Sequence, residues 1–302
     1  AVESSAAARL AGERVVEYLS RSGFLYLTNT PISPKTILRT LEWSHWLFEL
    51  PPSEKQGLSG IGTGGGEYQT YYRYAHEGGD HDNIEAFNIC NDDAQSTSEL
   101  RSDYYRLAGF ETSWIPPGRS NAWPSSPKGE EFRGFVRAYW HQCETLTAVL
   151  FYIVEAAAGL PKGTLSAAHS KSDHTLEIKK YHALPAEFCG EIRISEHADL
   201  STMTLLIQDA VGGLEIKDRN NGGWISVPAR EDAVLVNSGN FLQDWSSGTL
   251  LSTPHRVAAT PDIAGDRISC VFFATPDWDA RVRSSGEGPG IEEYLAGDKI
   301  PA

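Results

Sequence analysis

The chain has 302 residues, 40% of them hydrophobic, and a formal net charge of −14 at pH 7. This length supports one large domain or two small ones, and the negative charge gives no attraction for nucleic acid or an anionic membrane surface. No apolar run reaches the length of about 18 residues that a membrane-spanning helix needs.

The first residues and the cysteines both bear on the compartment. Residues 1–19 lack the continuous apolar stretch of a signal peptide, and their pattern predicts the helix of a soluble protein. The four cysteines are scattered, with no CxxC pair and no spacing typical of a disulfide framework. We therefore expect a cytoplasmic protein whose cysteines are reduced thiols.

Helices are predicted mainly in the first half of the chain. Apolar residues recur at helical spacing over residues 5–20, over residues 33–50 after a favourable Ser-Pro start, and most clearly over residues 129–158. Between the first two helices, residues 24–27 form a short apolar run that predicts a strand.

Two polar segments of the first half predict loops. Residues 57–66 are rich in glycine, and they contain a literal GxGxxG. A dinucleotide-binding turn requires a strand before these glycines and a helix after them, and neither is predicted here. An acidic cluster, formed by Asp82, Glu85, Asp92 and Asp93, predicts a second, solvated loop.

From about residue 175 the pattern changes to short strands separated by turn residues, including a strong hairpin turn at residues 218–223. Short strands in succession without helices between them predict a jelly roll rather than a parallel sheet. The candidate strands are residues 176–181, 191–197, 202–207, 213–216, 224–227, 233–236, 255–258 and 267–274. We expect one compact unit over residues 1–302, with a helix-rich region over 1–165 and a jelly-roll core over 166–302.

One arrangement in the second half points to a metal. His197 and Asp199 are two residues apart, so on an extended segment their side chains project to the same face. By itself this pair also fits a surface or hydrogen-bonded pair. His255 follows in a predicted strand, and two histidines with one carboxylate are the set that holds non-haem Fe(II) with open coordination positions.

Arg267 and Ser269 form a second motif on the last predicted strand. They are two residues apart, and residues 270–274 make this strand apolar enough to be buried. A buried arginine requires an anionic partner, and no acidic side chain is obviously placed to serve. Because arginine binds a carboxylate through two parallel hydrogen bonds and serine adds a third, a bound carboxylic acid is the favoured partner.

The ordered set of HxD, a later histidine and RxS resembles the Fe(II)/2-oxoglutarate-dependent dioxygenases of the isopenicillin N synthase-like family. The resemblance covers nearly the whole chain and is closest to fungal and microbial members such as the thymine hydroxylases. It is carried by residues 23–29, 48–55, 196–199, 204–214, 237–240 and 252–257.

The resemblance implies a mainly β fold with flanking helices, in which a double-stranded β-helix forms the core. It implies that His197, Asp199 and His255 are the catalytic iron ligands. Residues that would bind the distal carboxylate of 2-oxoglutarate are Arg267, Ser269 and Tyr181.

The resemblance also implies a reaction. With O2, and with ascorbate as a supporting reductant, the enzyme would oxidise an unactivated C–H bond and release succinate and CO2. Hydroxylation, desaturation and cyclisation share the same ligands. The expected substrate is a small natural product, a nucleobase or an amino acid derivative, and Phe273 matches a position that often contacts substrate.

Two positions depart from the usual family pattern, and several tyrosines are candidates for substrate contacts. Lys179 stands where many plant members carry an asparagine that helps to hold the cosubstrate, and Asn240 stands where an aspartate is usual. Tyr68, Tyr71 and Tyr72 follow the glycine-rich segment, and they serve either as substrate contacts or as ordinary packing residues.

Three other interpretations remain open at the level of sequence. The first is an oxidase of the same family that uses no 2-oxoglutarate, in which Arg267 and Ser269 hold the substrate's own carboxylate. The second is a non-catalytic cupin-like binding protein, and the third is a zinc hydrolase, since the same ligands suit zinc. A monomer or weak homodimer is expected, with a small molecule as its partner.

Overall fold

The computed structural model describes residues 6–58, 71–74, 84–91, 121–183, 192–258, 265–277 and 280–282. Within these ranges no helix is long and apolar enough to cross a membrane. The helices are α1 (Ala6–Arg21), α2 (Pro34–Phe48), α3 (Pro52–Gly57), α4 (Pro127–Ala158), α5 (Thr164–Ala168) and α6 (Asn240–Trp245).

Local signals explain where the predicted helices begin and end. The side chains of Ser33 and Ser126 accept hydrogen bonds from backbone N–H groups in the first turns of α2 and α4, and each serine is followed by proline. Gly159 ends α4 in the left-handed conformation that glycine adopts without strain. The predicted ranges therefore lie close to the observed ones.

The strands form two antiparallel sheets. In chain order they are β1 (Phe24–Leu27), β2 (Tyr71–Tyr74), β3 (Ile84–Cys90), β4 (Thr175–Tyr181), β5 (Ile192–His197), β6 (Met203–Gln208), β7 (Leu214–Lys217), β8 (Trp224–Ser226), β9 (Val234–Ser238), β10 (His255–Ala258) and β11 (Arg267–Ala274). The major sheet has the order β1-β9-β6-β11-β4-β3-β2, and the minor sheet has the order β5-β10-β7-β8. This is the mainly β jelly roll with flanking helices that the sequence predicts.

The two faces of the major sheet bury different sets of side chains. One face packs against α1, α2 and α4, and this large apolar cluster includes Phe272 and Leu205. The opposite face packs against the minor sheet in a smaller cluster that includes Tyr181 and Leu206. Because side chains alternate along a strand, each central strand contributes to both clusters.

One predicted loop is wrong. Residues 84–90 form β3, which pairs with β4, and Glu85 on this strand is buried rather than solvated. The Glu85 carboxylate accepts a hydrogen bond from Lys55 Nζ at 2.6 Å and lies 3.2 Å from His182 Nε2. Since a lysine from α3 compensates the buried charge, the pattern of the segment alone does not reveal the strand.

Other sequence predictions have mixed outcomes. The turn at residues 218–223 is confirmed, because Asp218 and Gly223 close the hairpin between β7 and β8. Strands β1, β2 and β3 come from the predicted helix-rich region and join the major sheet. The division at residue 165 stays a prediction, and the glycine-rich segment lies outside the described residues apart from its first two positions.

Candidate metal and carboxylate site

Three side chains with metal-binding atoms converge at one edge of the minor sheet. His197 ends β5 and His255 begins β10, and the register of these antiparallel strands makes the two histidines direct cross-strand neighbours. Asp199 follows His197 by two residues. One potential ligand atom from each of these residues lies within 4.8 Å of the others.

The hydrogen bonds of both imidazoles determine which nitrogen faces the centre of this group. His197 Nδ1 lies 2.8 Å from the Ser195 carbonyl oxygen, and His255 Nδ1 lies 3.2 Å from the Thr253 carbonyl oxygen. Because a carbonyl oxygen only accepts, each Nδ1 carries the proton and donates. When the ring is neutral, its Nε2 has the lone pair that a metal ion requires.

Asp199 is held so that its two oxygens have different surroundings. Thr204 Oγ1 donates to Oδ2 at 2.6 Å, and Asn237 Nδ2 donates to the same oxygen at 2.8 Å. The other oxygen, Oδ1, lies 3.8 Å from His197 Nε2 and 3.5 Å from His255 Nε2. One oxygen thus faces the histidines while the other anchors the side chain.

The electrostatics of this group favour an ionised aspartate. Burial by itself raises the pKa of Asp199, but the adjacent His255 and the hydrogen bonds from His255, Thr204 and Asn237 bring the pKa below its ordinary value. Burial and the neighbouring His255 lower the pKa of His197, whereas at His255 the effect of burial is outweighed by the Asp199 carboxylate, which raises the pKa of His255. The pair of Asp199 and His255 therefore favours a proton on His255, and a metal ion would bind with release of that proton.

The backbone around Asp199 is fixed by the start of α6. Asn240 N donates to the Asp199 carbonyl oxygen at 2.8 Å, and Phe241 N donates to the Ser201 carbonyl oxygen at 3.2 Å. A Cβ atom on Gly239 would lie 2.1 Å from the Ser201 carbonyl oxygen, so only glycine allows this approach.

Arg267 lies on β11 with its side chain facing the minor sheet. The residue is 2% exposed, and its guanidinium carbon lies 4.7 Å from the centre of the Tyr181 ring on the neighbouring strand. Its Nη2 donates to Gln208 Oε1 at 2.8 Å. Among the described residues, Arg267 Nε and Nη1 have no hydrogen-bond partner.

Ser269 continues the same face of β11. Its residue is 1% exposed, and its Oγ is also without a hydrogen-bond partner among the described residues. Buried donors that lack partners are uncommon because each costs the free energy of desolvation. The guanidinium of Arg267 and the hydroxyl of Ser269 together form a set of donors suited to a carboxylate, as the sequence predicts.

The metal-binding atoms and the carboxylate-binding atoms line one cavity between the two sheets. The wall is completed by apolar side chains, and the His197 side chain is 42% exposed at the edge of the site. The lining residues include His197, Asp199, His255, Arg267, Ser269, Tyr181, Lys179, Phe24, Leu206 and Phe273. The candidate ligands and carboxylate-binding residues therefore share one space.

The candidate substrate contacts have different outcomes. Phe273 is half-buried and lines the cavity. Tyr71 and Tyr72 lie on β2, which pairs with β3 at the edge of the major sheet, and their side chains lie outside the described residues. Tyr68 also lies outside them.

The two departures from the family pattern occupy different environments. Lys179 lines the cavity beside Ser269, its cross-strand neighbour, and its ammonium group lies 2.8 Å from Glu177 Oε2. Asn240 is the first residue of α6, and its backbone N–H is the group that reaches the Asp199 carbonyl oxygen.

Sequence reasoning assigned no individual role to Gln208, Thr204 and Asn237. Gln208 ends a strand that is apolar apart from Thr204, and a polar residue in that position is a signal of a buried polar contact. Thr204 and Asn237 lie opposite each other on β6 and β9. Their shared contact with Asp199 depends on strand register, which a single sequence does not specify.

Two family profiles match separate parts of the chain. The profile of the 2OG-Fe(II) oxygenase superfamily matches residues 172–276, which contain all three candidate metal ligands. The profile described as the non-haem dioxygenase in morphine synthesis N-terminal region matches residues 2–108.

Relatives extend over most of the chain. The UPF0676 protein C1494.01 of Schizosaccharomyces pombe is 31% identical over 92% of this chain and 82% of its own length. The proline hydroxylase buaE of Petromyces alliaceus is 28% identical over 88% of this chain and 81% of its own length. A Neurospora crassa protein, solved as a crystal structure with alpha-KG and 5-formyluracil, has a TM-score of 0.72 and 25% identity, and the match covers 90% of this chain and 80% of that one.

Proposed function

The chain belongs to the 2OG-Fe(II) oxygenase superfamily and is a dioxygenase dependent on Fe(II) and 2-oxoglutarate, and we propose that His197, Asp199 and His255 are its iron ligands. The convergence of two imidazole Nε2 atoms and Asp199 Oδ1 is the observation that carries this assignment. Two nitrogen ligands and one carboxylate on a single face suit Fe(II) and leave its other coordination positions open.

Arg267 and Ser269 bind the distal carboxylate of 2-oxoglutarate. Their buried donors, which lack partners among the residues that the structure describes, support this role, because a carboxylate would accept from both residues. Tyr181 supports the guanidinium from one side. The metal ligands line the same cavity, so a cosubstrate held here by its distal carboxylate would have its keto acid end within the space that they share.

Held by these residues, iron with 2-oxoglutarate and O2 would supply the oxidation of a C–H bond, with succinate and CO2 formed from 2-oxoglutarate. The protein's own residues bind, orient and shield the reactants. The Nε2 atoms and Asp199 fix the metal, and Arg267 and Ser269 fix the cosubstrate. Apolar wall residues such as Phe24 and Leu206 limit the access of water.

The proposed primary substrate is a small natural product, a nucleobase or an amino acid derivative. A proline hydroxylase among the relatives and a solved neighbour holding 5-formyluracil support a small molecule. Phe273 is proposed to contact it, and Tyr68, Tyr71 and Tyr72 are proposed as further contacts. A cytoplasmic location and a monomer or weak homodimer stay predictions from the sequence.

Anaerobic titration with Fe(II) and 2-oxoglutarate tests the assignment through the visible charge-transfer band of the chelated metal. We expect the band in the wild-type protein, no band in His197→Ala, and a large rise in the 2-oxoglutarate concentration needed for Arg267→Ala. Arg230→Ala is the matched control, because it removes the same charge from an exposed arginine paired with Asp232. A band of normal affinity in Arg267→Ala, or iron binding that survives in His197→Ala, contradicts the proposed roles.

A further inference from the structure

Gln208 links Arg267, the residue proposed to bind the cosubstrate carboxylate, to the segment that follows strand β8 of the minor sheet. It is the last residue of β6, it is buried, and it is the cross-strand neighbour of Ser269. Its Oε1 accepts a hydrogen bond from Arg267 Nη2 at 2.8 Å, and its Nε2 donates to the Val227 carbonyl oxygen at 3.0 Å.

The orientation of this amide is determined by its two partners. A backbone carbonyl oxygen only accepts and a guanidinium only donates, so the NH2 group must face Val227 and the oxygen must face Arg267. Rotating the amide by 180° would oppose two donors at one end and two acceptors at the other. Gln208 therefore provides a fixed acceptor for Arg267 rather than an adaptable one.

Two contacts then restrain the guanidinium in different directions. The Tyr181 ring lies 4.7 Å from the guanidinium carbon and limits movement toward the neighbouring strand. The hydrogen bond to Gln208 restrains Nη2. With Nη2 held, Nε and Nη1 stay available to a ligand, beside Ser269 Oγ.

The neutrality of Gln208 matters as much as its position. A carboxylate at this place would also accept from Arg267, but it would offset the positive charge that attracts a ligand carboxylate. An amide orients the guanidinium and leaves its charge uncompensated. The side chain is therefore suited to prepare Arg267 for an incoming anion.

We propose that Gln208 is a positioning residue that sets the preference of the enzyme for 2-oxo acids carrying a distal carboxylate. The inference rests on the proposed function, because it takes Arg267 and Ser269 as the site of that carboxylate. Gln208 acts through Arg267 and has no part in holding the keto acid end. Its effect therefore appears in cosubstrate selection and not in the binding of iron.

The test compares two probes, 2-oxoglutarate and 2-oxobutyrate, of which the second lacks the distal carboxylate. Their dissociation constants from the Fe(II)-loaded enzyme are measured anaerobically through the charge-transfer band. We expect Gln208→Met to weaken 2-oxoglutarate binding about tenfold, since a hydrogen bond to a charged group is lost. Gln208→Glu is expected to weaken it further, and neither variant should weaken 2-oxobutyrate binding.

Turnover provides a second readout. The KM for 2-oxoglutarate rises in both variants, while kcat at saturating 2-oxoglutarate and the affinity for Fe(II) alone stay at wild-type values. Gln142→Met is the matched control, because it removes a glutamine of α4 on the other side of the major sheet and should change neither probe. Thermal unfolding shows whether each variant is folded. If Gln208→Glu does not fold, the comparison of Gln208→Met with the wild-type protein is sufficient for the test.

The outcomes separate this inference from the proposed function. Equal losses for both probes in Gln208→Met indicate a merely structural role and overturn the inference, as does unchanged binding of both probes. In either case a selective loss of 2-oxoglutarate in Arg267→Ala still supports the carboxylate site. If Arg267→Ala keeps the preference for 2-oxoglutarate, both the site and the inference fail.

Discussion

Strand β11 shows how differently the two faces of the major sheet are built. Its alternate residues Ile268, Cys270, Phe272 and Ala274 point toward the helices, and each is 0% exposed. The intervening residues point toward the minor sheet and include Arg267, Ser269, Val271 and Phe273. One backbone thus serves a packed core on one side and a binding cavity on the other.

The two faces contribute differently to the stability of the folded state. The helix-facing cluster removes large apolar side chains from water, which stabilises the folded state by roughly 25 cal/mol per Å² of apolar surface buried. The cavity face keeps buried donors at Arg267 and Ser269 that have no partner within the described part of the chain, and each such group costs about 1–3 kcal/mol. The free energy gained on the first face offsets the cost on the second.

Asp199→Ala is the substitution with the largest expected effect on the cavity face. It removes the only carboxylate of the candidate metal group and leaves two histidines, so Fe(II) binding and succinate formation should fall to background. Equilibrium dialysis with Fe(II) and an assay of succinate check this. Because Thr204 Oγ1 and Asn237 Nδ2 lose their acceptor at Asp199, the thermal midpoint should also fall, and the variant is compared at a temperature at which it is folded. Retained turnover would show that the ligand lies elsewhere.

Phe272 and Phe273 provide a direct test of the difference between the faces. Phe272→Ala should lower the free energy of unfolding by about 3–5 kcal/mol, because a fully buried ring leaves a cavity. It should not change 2-oxoglutarate affinity in the protein that remains folded. Phe273→Ala is the paired variant on the cavity side, and a smaller loss of stability is expected since Phe273 is half-buried.

Denaturant unfolding and cosubstrate titration of both variants complete this comparison. The two faces would not be separable if Phe272→Ala and Phe273→Ala lowered stability equally. The same conclusion would follow if Phe272→Ala weakened 2-oxoglutarate binding more than Phe273→Ala.

Asn237 and Ser238 make the same comparison on β9, with a smaller effect. Asn237→Ala removes one of the two hydrogen bonds that hold Asp199 Oδ2, and loss of such a supporting bond typically weakens metal binding about 10–100-fold. Ser238→Ala, the control, removes a hydroxyl that donates to the Leu251 carbonyl oxygen on the opposite face. Fe(II) titration should show weaker iron binding in Asn237→Ala than in Ser238→Ala. Similar iron affinities in the two variants would contradict the role of Asn237.

His169 connects stability to pH on the helix-facing side. Burial, and then the neighbouring His174, lower the pKa of His169 from 6.5 to about 3. Below pH 6.5 the unfolded chain therefore binds a proton that the folded protein does not, so stability is lost as the pH falls toward 3. The slope from this residue is at most about 1.4 kcal/mol per pH unit.

The variant His169→Gln isolates the contribution of His169 to the pH dependence of stability. Denaturant unfolding between pH 7 and pH 5 should show a shallower loss of stability in the variant than in the wild-type protein. Glutamine can still pair with the Leu165 carbonyl oxygen and with Thr202, the two partners of the imidazole. Parallel pH profiles for the two proteins would mean that His169 titrates alike in the folded and unfolded states.

The sequence predicts the part of the fold that depends on local signals. The strands from residue 175 onward lie within one or two positions of their predicted ranges, because turn residues separate short apolar runs. The spacing of His197 and Asp199 places both side chains at one site, and the downstream His255 completes the group. These features follow from side-chain periodicity and from ligand chemistry.

The remainder depends on contacts between distant segments. The strand at residues 84–90 escapes prediction because the buried Glu85 is paired with Lys55, thirty residues away. The contact between Gln208 and Arg267 spans 59 residues and arises from the pairing of β6 with β11. No local pattern encodes such partners, so they become visible only once the register of the sheet is known.

The contact between Gly239 and Ser201 has a consequence for how this sequence can diverge. At position 239 a side chain has no room, and at position 240 the ligand segment is held by a backbone N–H that every residue except proline possesses. Replacement of the usual aspartate by Asn240 therefore leaves this hold intact. Of two adjacent positions, the first requires glycine, and the second holds the ligand segment through its backbone whatever side chain it carries, proline excepted.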